Sequence, residues 1–284
     1  MDIFLKHYTL IRLSNCLIAS LAVAVGQYLV SIPGYFKISY IPAMAAFFVC
    51  GYGNIINDIV DRKSDEINHP DRPIPAGQIS IGSARALAIL FLAVCGILAI
   101  FLNLVGILIV FSGIILVTWY DFRLKHTPYW GNAVVSLLGG MTFILGGVAV
   151  RPDNINTNPG VLAAAGFAFI AHFGREIIKD IQDRIGDSAA GSRTGAISGG
   201  PLQAMIIVYI LFGLLTVMTI VVYKLEWFNK TFLYITILGV ISPALIQFIW
   251  LGKSLDGRKL GLVSLFMKLE MLPGVLALIL GRQY

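Results

Sequence analysis

Charge is scarce in this sequence. Only 13% of its residues are Asp, Glu, Lys or Arg, about half of the roughly 25% found in soluble domains. That is too little to solvate a globular surface, and it excludes a water-soluble fold. Cysteine is nearly absent as well. Cys16, Cys50 and Cys95 lie in apolar stretches, with neither metal-ligand spacing nor a disulfide pattern, and read as small core residues. A cleavable leader is not expected. Residues 1–8 are of mixed polarity, and the apolar run behind them has the length of a true span.

What is plentiful is apolar surface. Hydrophobic residues make up 57% of the chain, and its mean hydropathy is +0.84. A spanning helix needs about 20 mostly apolar residues. Nine stretches qualify, at 9–32, 40–60, 83–102, 104–123, 130–149, 159–182, 202–223, 229–251 and 262–282. Lipid cannot satisfy an open backbone, so helices are expected. The fold class is therefore an all-α integral membrane protein, a single domain over 1–284 with nine transmembrane helices in one bundle. Two long polar segments, 61–82 and 183–201, should cap one face.

Basic residues orient the bundle. Sixteen of the 21 Lys and Arg residues fall on the side that holds the N-terminus and both long segments, and five, Lys37, Arg151, Lys224, Lys230 and Arg282, fall on the other. The first side is expected to be cytoplasmic in a multi-pass cell-membrane protein. The net charge of +6 is then orientation and anchoring, and calls for no nucleic acid.

The acids are concentrated. Asn57-Asp58-Ile59-Val60-Asp61-Arg62-Lys63-Ser64-Asp65 ends the second stretch, and Lys179-Asp180-Ile181-Gln182-Asp183-Arg184-Ile185-Gly186-Asp187 ends the sixth. Both read D-I-x-D-R-x-x-D, and each aspartate is 122 positions from its counterpart. Four helices separate them, which suggests a parallel repeat of helices 1–4 and 5–8 with helix 9 appended. The i, i+3, i+7 spacing puts three carboxylates on one stripe. Pairing with Arg62, Lys63, Lys179 and Arg184 at an interface is the plainer reading of either stripe alone. Two stripes in register on one side point instead to two or more cations held between them, with a diphosphate. Ligands that are all oxygen, without His or Cys, suit Mg²⁺, which completes its shell with water and phosphate. Asn57, one turn before Asp61, adds a neutral oxygen.

Cations are found beside the acids. Arg72 sits in His69-Pro70-Asp71-Arg72-Pro73-Ile74-Pro75, a segment stiffened by proline. Arg175 and Lys179 are i, i+4 near the end of the sixth stretch. Charges there usually face a protein cavity, although pairing with Glu176 and Asp180 would also account for them. Tyr120, Arg123, Lys125 and Asn132 cluster at the 4–5 connection, where Arg123 and Lys125 are either phosphate ligands or orientation signals. Asn15 and Arg12 head the first stretch. Trp119, Tyr120, Tyr129, Phe143, Phe167, Phe169 and Phe173 lie near the same half of the bundle. Their rings can stabilise an allylic cation, or can simply face lipid or core.

Taken together, these residues resemble the UbiA superfamily of intramembrane prenyltransferases, which carries NDxxDxxxD after helix 2 and DxxDxxxD after helix 6. The resemblance covers nearly the whole chain. Asn57, Asp58, Asp61 and Asp65 fill the first motif, and Asp180, Asp183 and Asp187 fill the second. It implies a UbiA-like bundle around a central cavity, with Mg²⁺ held by those seven residues and Asp61, Asp65, Asp183 and Asp187 catalytic. Asn15, Arg72, Tyr120, Arg123, Lys125, Asn132, Arg175 and Lys179 would bind substrate.

The wording of Ile11-Arg12 with Asn15, of Asn68 to Gly77 and of Gly174 to Asp180 is similar to the archaeal ether-lipid branch. Leu13, His69, Ala76 and Gln182 depart from that branch, which usually has Pro, Arg, Ser and Glu there. The branch implies transfer from geranylgeranyl diphosphate to the hydroxyl of geranylgeranylglyceryl phosphate. Arg72, Arg175 and Lys179 would share the acceptor phosphate. An aromatic or haem acceptor is the alternative within the superfamily. A membrane transporter is the alternative outside it, but that would place ionisable groups near the midplane.

Overall fold

The computed structural model describes residues 2–32, 38–125, 127–151, 159–189, 191–252 and 255–283, without the side chains of 2–5. Lys37 and Lys253, both counted for orientation, lie outside them. Among the described residues nine helices are long and apolar enough to cross a membrane. They are span 1 (Leu13–Val30), span 2 (Tyr40–Val60), span 3 (Ile81–Ala99), span 4 (Leu104–Leu124), span 5 (Trp130–Val150), span 6 (Pro159–Ala189), span 7 (Pro201–Lys224), span 8 (Lys230–Leu251) and span 9 (Gly257–Leu280). Large apolar side chains such as Ile100, Leu238 and Ile249 are 70–80% exposed. In a bilayer protein such residues face lipid rather than water.

Spans 1, 5 and 6 form the middle of the bundle, with span 5 packed on both of the others. Small residues let them approach closely. A Cβ on Gly146 would lie 2.0 Å from the Val23 carbonyl oxygen, and one on Gly26 would lie 2.1 Å from that of Phe143. Backbone-to-backbone contact of this kind is the usual means of helix association in lipid. Spans 2, 3 and 4 pack on one flank, and spans 7, 8 and 9 on the other.

Three features differ from the sequence expectation. Span 6 does not stop at 182 but runs on through Ala189, so the second acidic stripe lies on a continuous helix and the polar segment begins only afterwards. Long-range docking explains the extension. Asn68 Nδ2 donates to the Asp183 carbonyl at 2.8 Å, and the Gly186 amide donates to Asn68 Oδ1 at 3.0 Å. The first polar segment is partly ordered as a helix over Arg62–Asn68. Span 9 begins at Gly257 and breaks at Glu270, where Pro273 denies the Leu269 carbonyl its helical partner.

Span 4 ends in a π turn over Tyr120–Leu124, closed by the Lys125 amide on the Tyr120 carbonyl at 2.9 Å. One extra residue in that turn places Tyr120 and Lys125 on the same side, with the ammonium 5.9 Å from the ring centroid.

Candidate active site

The end of span 2 delivers the first stripe. Its helix breaks at Asp61, and Asp58, Asp61 and Asp65 are all buried. Each is met by a cation, two of them from distant elements and Arg72 from the segment that follows. Arg12 sits at the left-handed hinge (φ 50°) between the Asp2–Ile11 helix and span 1. Its Nη2 donates to Asp58 Oδ1 at 2.5 Å and to Asn57 Oδ1 at 3.0 Å. Arg72 Nη1 donates to Asp65 Oδ2 at 2.6 Å and lies 3.6 Å from Asp58. Lys125 Nζ donates to Asp61 Oδ2. The proline segment that carries Arg72 is anchored by buried Ile74 and Ile79, which pack with Leu10 and Ile55.

These contacts set the charge states. Burial works against the Lys125 and Arg12 cations, but the facing Asp61 and Asp58 outweigh it, and both cations are held more firmly than usual. Burial lifts the Asp65 carboxyl above the ordinary carboxylate range, with Arg72 pulling the other way.

The second stripe is half-buried and has milder company. Asn132 Nδ2 donates to Asp180 Oδ2 at 2.9 Å, and His69 Nε2 lies 3.0 Å from Asp183 Oδ1. His69 thus reaches the second stripe from the position where the ether-lipid branch usually has arginine. Asp187 shares a small polar cavity with Tyr120, Lys125, Asn132 and Asp180. Among the described residues no three acidic, His or Cys side chains converge closely enough to hold a metal ion. The stripes face one another with their inner positions taken by protein cations and amides.

Beside the stripes a cavity of about 790 Å³ runs into the bundle. Its polar end holds Arg12, Asn15, Asn57, Arg72, Tyr120, Arg175 and Lys179. Its deeper wall is apolar, with Phe143, Phe167, Phe212, Phe232 and Leu278. Of the aromatics singled out from sequence, Tyr120, Phe143 and Phe167 line it, whereas Trp119 is 53% exposed and faces outward. Arg123 is exposed and lines neither cavity.

One residue of the site was not singled out by sequence. Asp121 is fully buried, accepts from Asn57 Nδ2 at 3.0 Å and keeps Oδ2 without a partner among the described residues. Its signal was an acid inside an apolar run, which is rarely accidental. Glu176 joins Arg175 (2.8 Å) and Lys179 (3.7 Å) at the cavity wall.

Residues 17–269 match the UbiA prenyltransferase family. A digeranylgeranylglyceryl phosphate synthase from Methanocaldococcus jannaschii is 32% identical over 98% of this chain and 96% of its own length. Relatives of the same name that are 37–40% identical align over only 64% of either chain. A solved structure of a digeranylgeranylglyceryl phosphate synthase superposes with a TM-score of 0.72 at 29% identity, covering 99% of both chains. A UbiA homologue from Archaeoglobus fulgidus, solved with GPP and Mg²⁺, has the same fold at 20% identity, with a TM-score of 0.67 over 96% of this chain and 99% of that one.

Proposed function

The chain belongs to the UbiA prenyltransferase family, and from that premise we propose that it moves a geranylgeranyl group from geranylgeranyl diphosphate to the hydroxyl of geranylgeranylglyceryl phosphate. The products are digeranylgeranylglyceryl phosphate, diphosphate and a proton. The observation that carries this reading is the cavity. An apolar chamber ends on Arg12, Arg72, Arg175 and Lys179, and the first two of these are paired with acids of the first stripe, which suits a long isoprenoid tail with a diphosphate head.

Mg²⁺ is the cofactor we assign. The donors fit it: they are oxygen throughout, and a buried Asp121 oxygen lacks a partner among the described residues. Asn57, Asp58, Asp61 and Asp65 would hold it on one side, and Asp180, Asp183 and Asp187 on the other. Bound there, Mg²⁺ neutralises diphosphate oxygens and makes diphosphate a better leaving group. Asp61, Asp65, Asp183 and Asp187 are the catalytic acids of this reading.

The chain's own cations do the rest. Lys125, Arg12 and Arg72 already stand within reach of the stripes and can turn to phosphate oxygens with charge-assisted hydrogen bonds. Arg72 therefore serves the donor end in addition to any acceptor role. Arg175 and Lys179, which line the same cavity beside Glu176, are assigned to the acceptor in this reading. Asn15, Tyr120 and Asn132 position substrate. As the C–O bond breaks, the electron pair leaves with diphosphate and the allylic carbon becomes cationic. Phe143, Phe167 and the Tyr120 ring face the cavity where that charge develops. Their apolar neighbours keep water from capturing it.

The whole chain is read as one domain, capped by 61–82 and 183–201. Sixteen of 21 basic residues on the capped side support a cytoplasmic active site and N-terminus. The test is purified protein with labelled geranylgeranyl diphosphate, Mg²⁺ and geranylgeranylglyceryl phosphate. Label should appear in the doubly prenylated phosphate. Label in 4-hydroxybenzoate but none in the glycerol phosphate would refute the assignment.

A further inference from the structure

Among the described residues, five Lys or Arg side chains line the large cavity, and four of them are paired with a carboxylate. Arg12 has Asp58, Arg72 has Asp65, and Arg175 and Lys179 have Glu176. Lys268 lines the same cavity without a carboxylate. Its Nζ donates to Ser14 Oγ at 2.6 Å, a neutral hydroxyl 254 positions away in sequence. Arg12 and Arg175, both cationic, line the same cavity. An ammonium in a positive field at a membrane protein's cavity is costly unless an anion arrives.

Its position says where that anion would sit. Ser14 is exposed and Lys268 half-buried, so the contact lies on the cavity rim. The second half of span 9, Met271–Leu280, packs on spans 1 and 8, whereas the first half, Gly257–Leu269, packs on spans 6 and 8. Lys268 reaches across to span 1 just before that packing begins. Arg175 Nε donates to the Ser264 carbonyl at 3.2 Å, and Ser264 is one helical turn from Lys268 on the same face. Arg175 and Lys268 thus border one part of the rim.

We propose that Lys268, with Arg175 beside it, binds the phosphate monoester of the acceptor at the rim between spans 1 and 9, in the place that Ser14 Oγ fills in this structure. This rests on the acceptor being a glycerol phosphate, as argued above. The chemistry separates the two substrates. A diphosphate meets acids and needs a metal between them. A monoester at Lys268 and Arg175 meets two cations and one hydroxyl, with the neighbouring Glu176 already paired to Arg175, and needs none. Lysine suits the task, because three rotatable donors on a flexible stem can exchange a hydroxyl for a phosphate oxygen.

The test is two-substrate kinetics with geranylgeranyl diphosphate and Mg²⁺ on wild type, Lys268→Gln and Lys268→Arg. Acceptors are geranylgeranylglyceryl phosphate and its dephosphorylated form, in phosphate-free glycolipid vesicles with or without phosphatidylglycerol. Lys268→Gln should raise the KM for the phosphorylated acceptor by about tenfold or more, the loss of one charge-assisted bond. The donor KM and the KM for the neutral acceptor should stay near wild type, which also shows that the variant is folded. Lys268→Arg should restore most of the loss. An unchanged acceptor KM in Lys268→Gln, or a donor KM that rises with it, overturns the site and leaves the prenyl transfer standing. A wild type that ignores the phosphorylated acceptor overturns that reading, and the site falls with it. If phosphatidylglycerol raises the acceptor KM in wild type but not in Lys268→Gln, the rim serves bilayer headgroups, and the proposal is overturned.

Discussion

The two acidic stripes share one eight-residue pattern and are not equivalent. The stripe after span 2 is buried, breaks its helix at Asp61 and is neutralised by Arg12, Arg72 and Lys125. The stripe on span 6 is half-buried, lies on an unbroken helix and leans on Asn132 and His69. Equal spacing therefore gives equal ligand geometry on paper but different resting electrostatics. The first stripe is held by the protein's own cations, which on the proposed reading would have to be released before its oxygens could serve a metal. The second has carboxylate surplus and little to release. A bound metal-diphosphate would repay the first stripe's cations with phosphate oxygens, so the two substitutions of partner at that stripe are coupled.

Removing one partner of a buried ion pair leaves an uncompensated charge. Arg12→Gln should therefore destabilise the fold by ~3 kcal/mol or more, read as the largest fall in thermal midpoint in detergent. A midpoint like wild type would mean that Asp58 does not depend on Arg12. Loss of an acid from either stripe should be as severe for turnover. Asp61→Ala and Asp183→Ala should each lower kcat/KM about a hundredfold or more, since metal charge stabilisation is worth several kcal/mol. If only one of the two falls, the stripes do not share a diphosphate. Lys125→Gln probes the first stripe's clamp. Its donor KM should rise by about tenfold, one charge-assisted bond, while His69→Gln, which keeps a hydrogen-bonding group near Asp183, should change it by under about threefold. Similar rises in both variants would erase the contrast drawn here. The smallest effect is expected at Asn132→Ala, which removes a neutral donor from Asp180 and should cost ~1 kcal/mol of stability, well below Arg12→Gln in the same melt.

The spans were legible because a bilayer imposes length and apolarity directly on sequence, and the acids because their spacing repeats. The extent of span 6 was not. Past position 182 its residues are polar, and what keeps them helical is Asn68, 115 positions from Asp183 in sequence. The clamp on the first stripe was equally hidden. Arg12 reaches Asp58 across 46 positions and Lys125 reaches Asp61 across 64, and neither distance leaves a local pattern. Lys125 faces Asp61 only because a π turn inserts one residue after Tyr120, which periodicity alone does not announce. Asp121 carried a readable signal, an acid inside an apolar span. Asn15, Tyr120, Arg175 and Lys179 were placed at the cavity, while Arg123 points elsewhere.

The central claim is that both stripes serve one metal-bound diphosphate. Calorimetric titration of geranylgeranyl diphosphate into purified wild type, Asp61→Asn and Asp183→Asn, each with and without Mg²⁺, tests it most directly. The account predicts that Mg²⁺ tightens donor binding in wild type by at least about tenfold, and that either substitution abolishes most of that gain. A Mg²⁺ response in Asp183→Asn equal to wild type would contradict it.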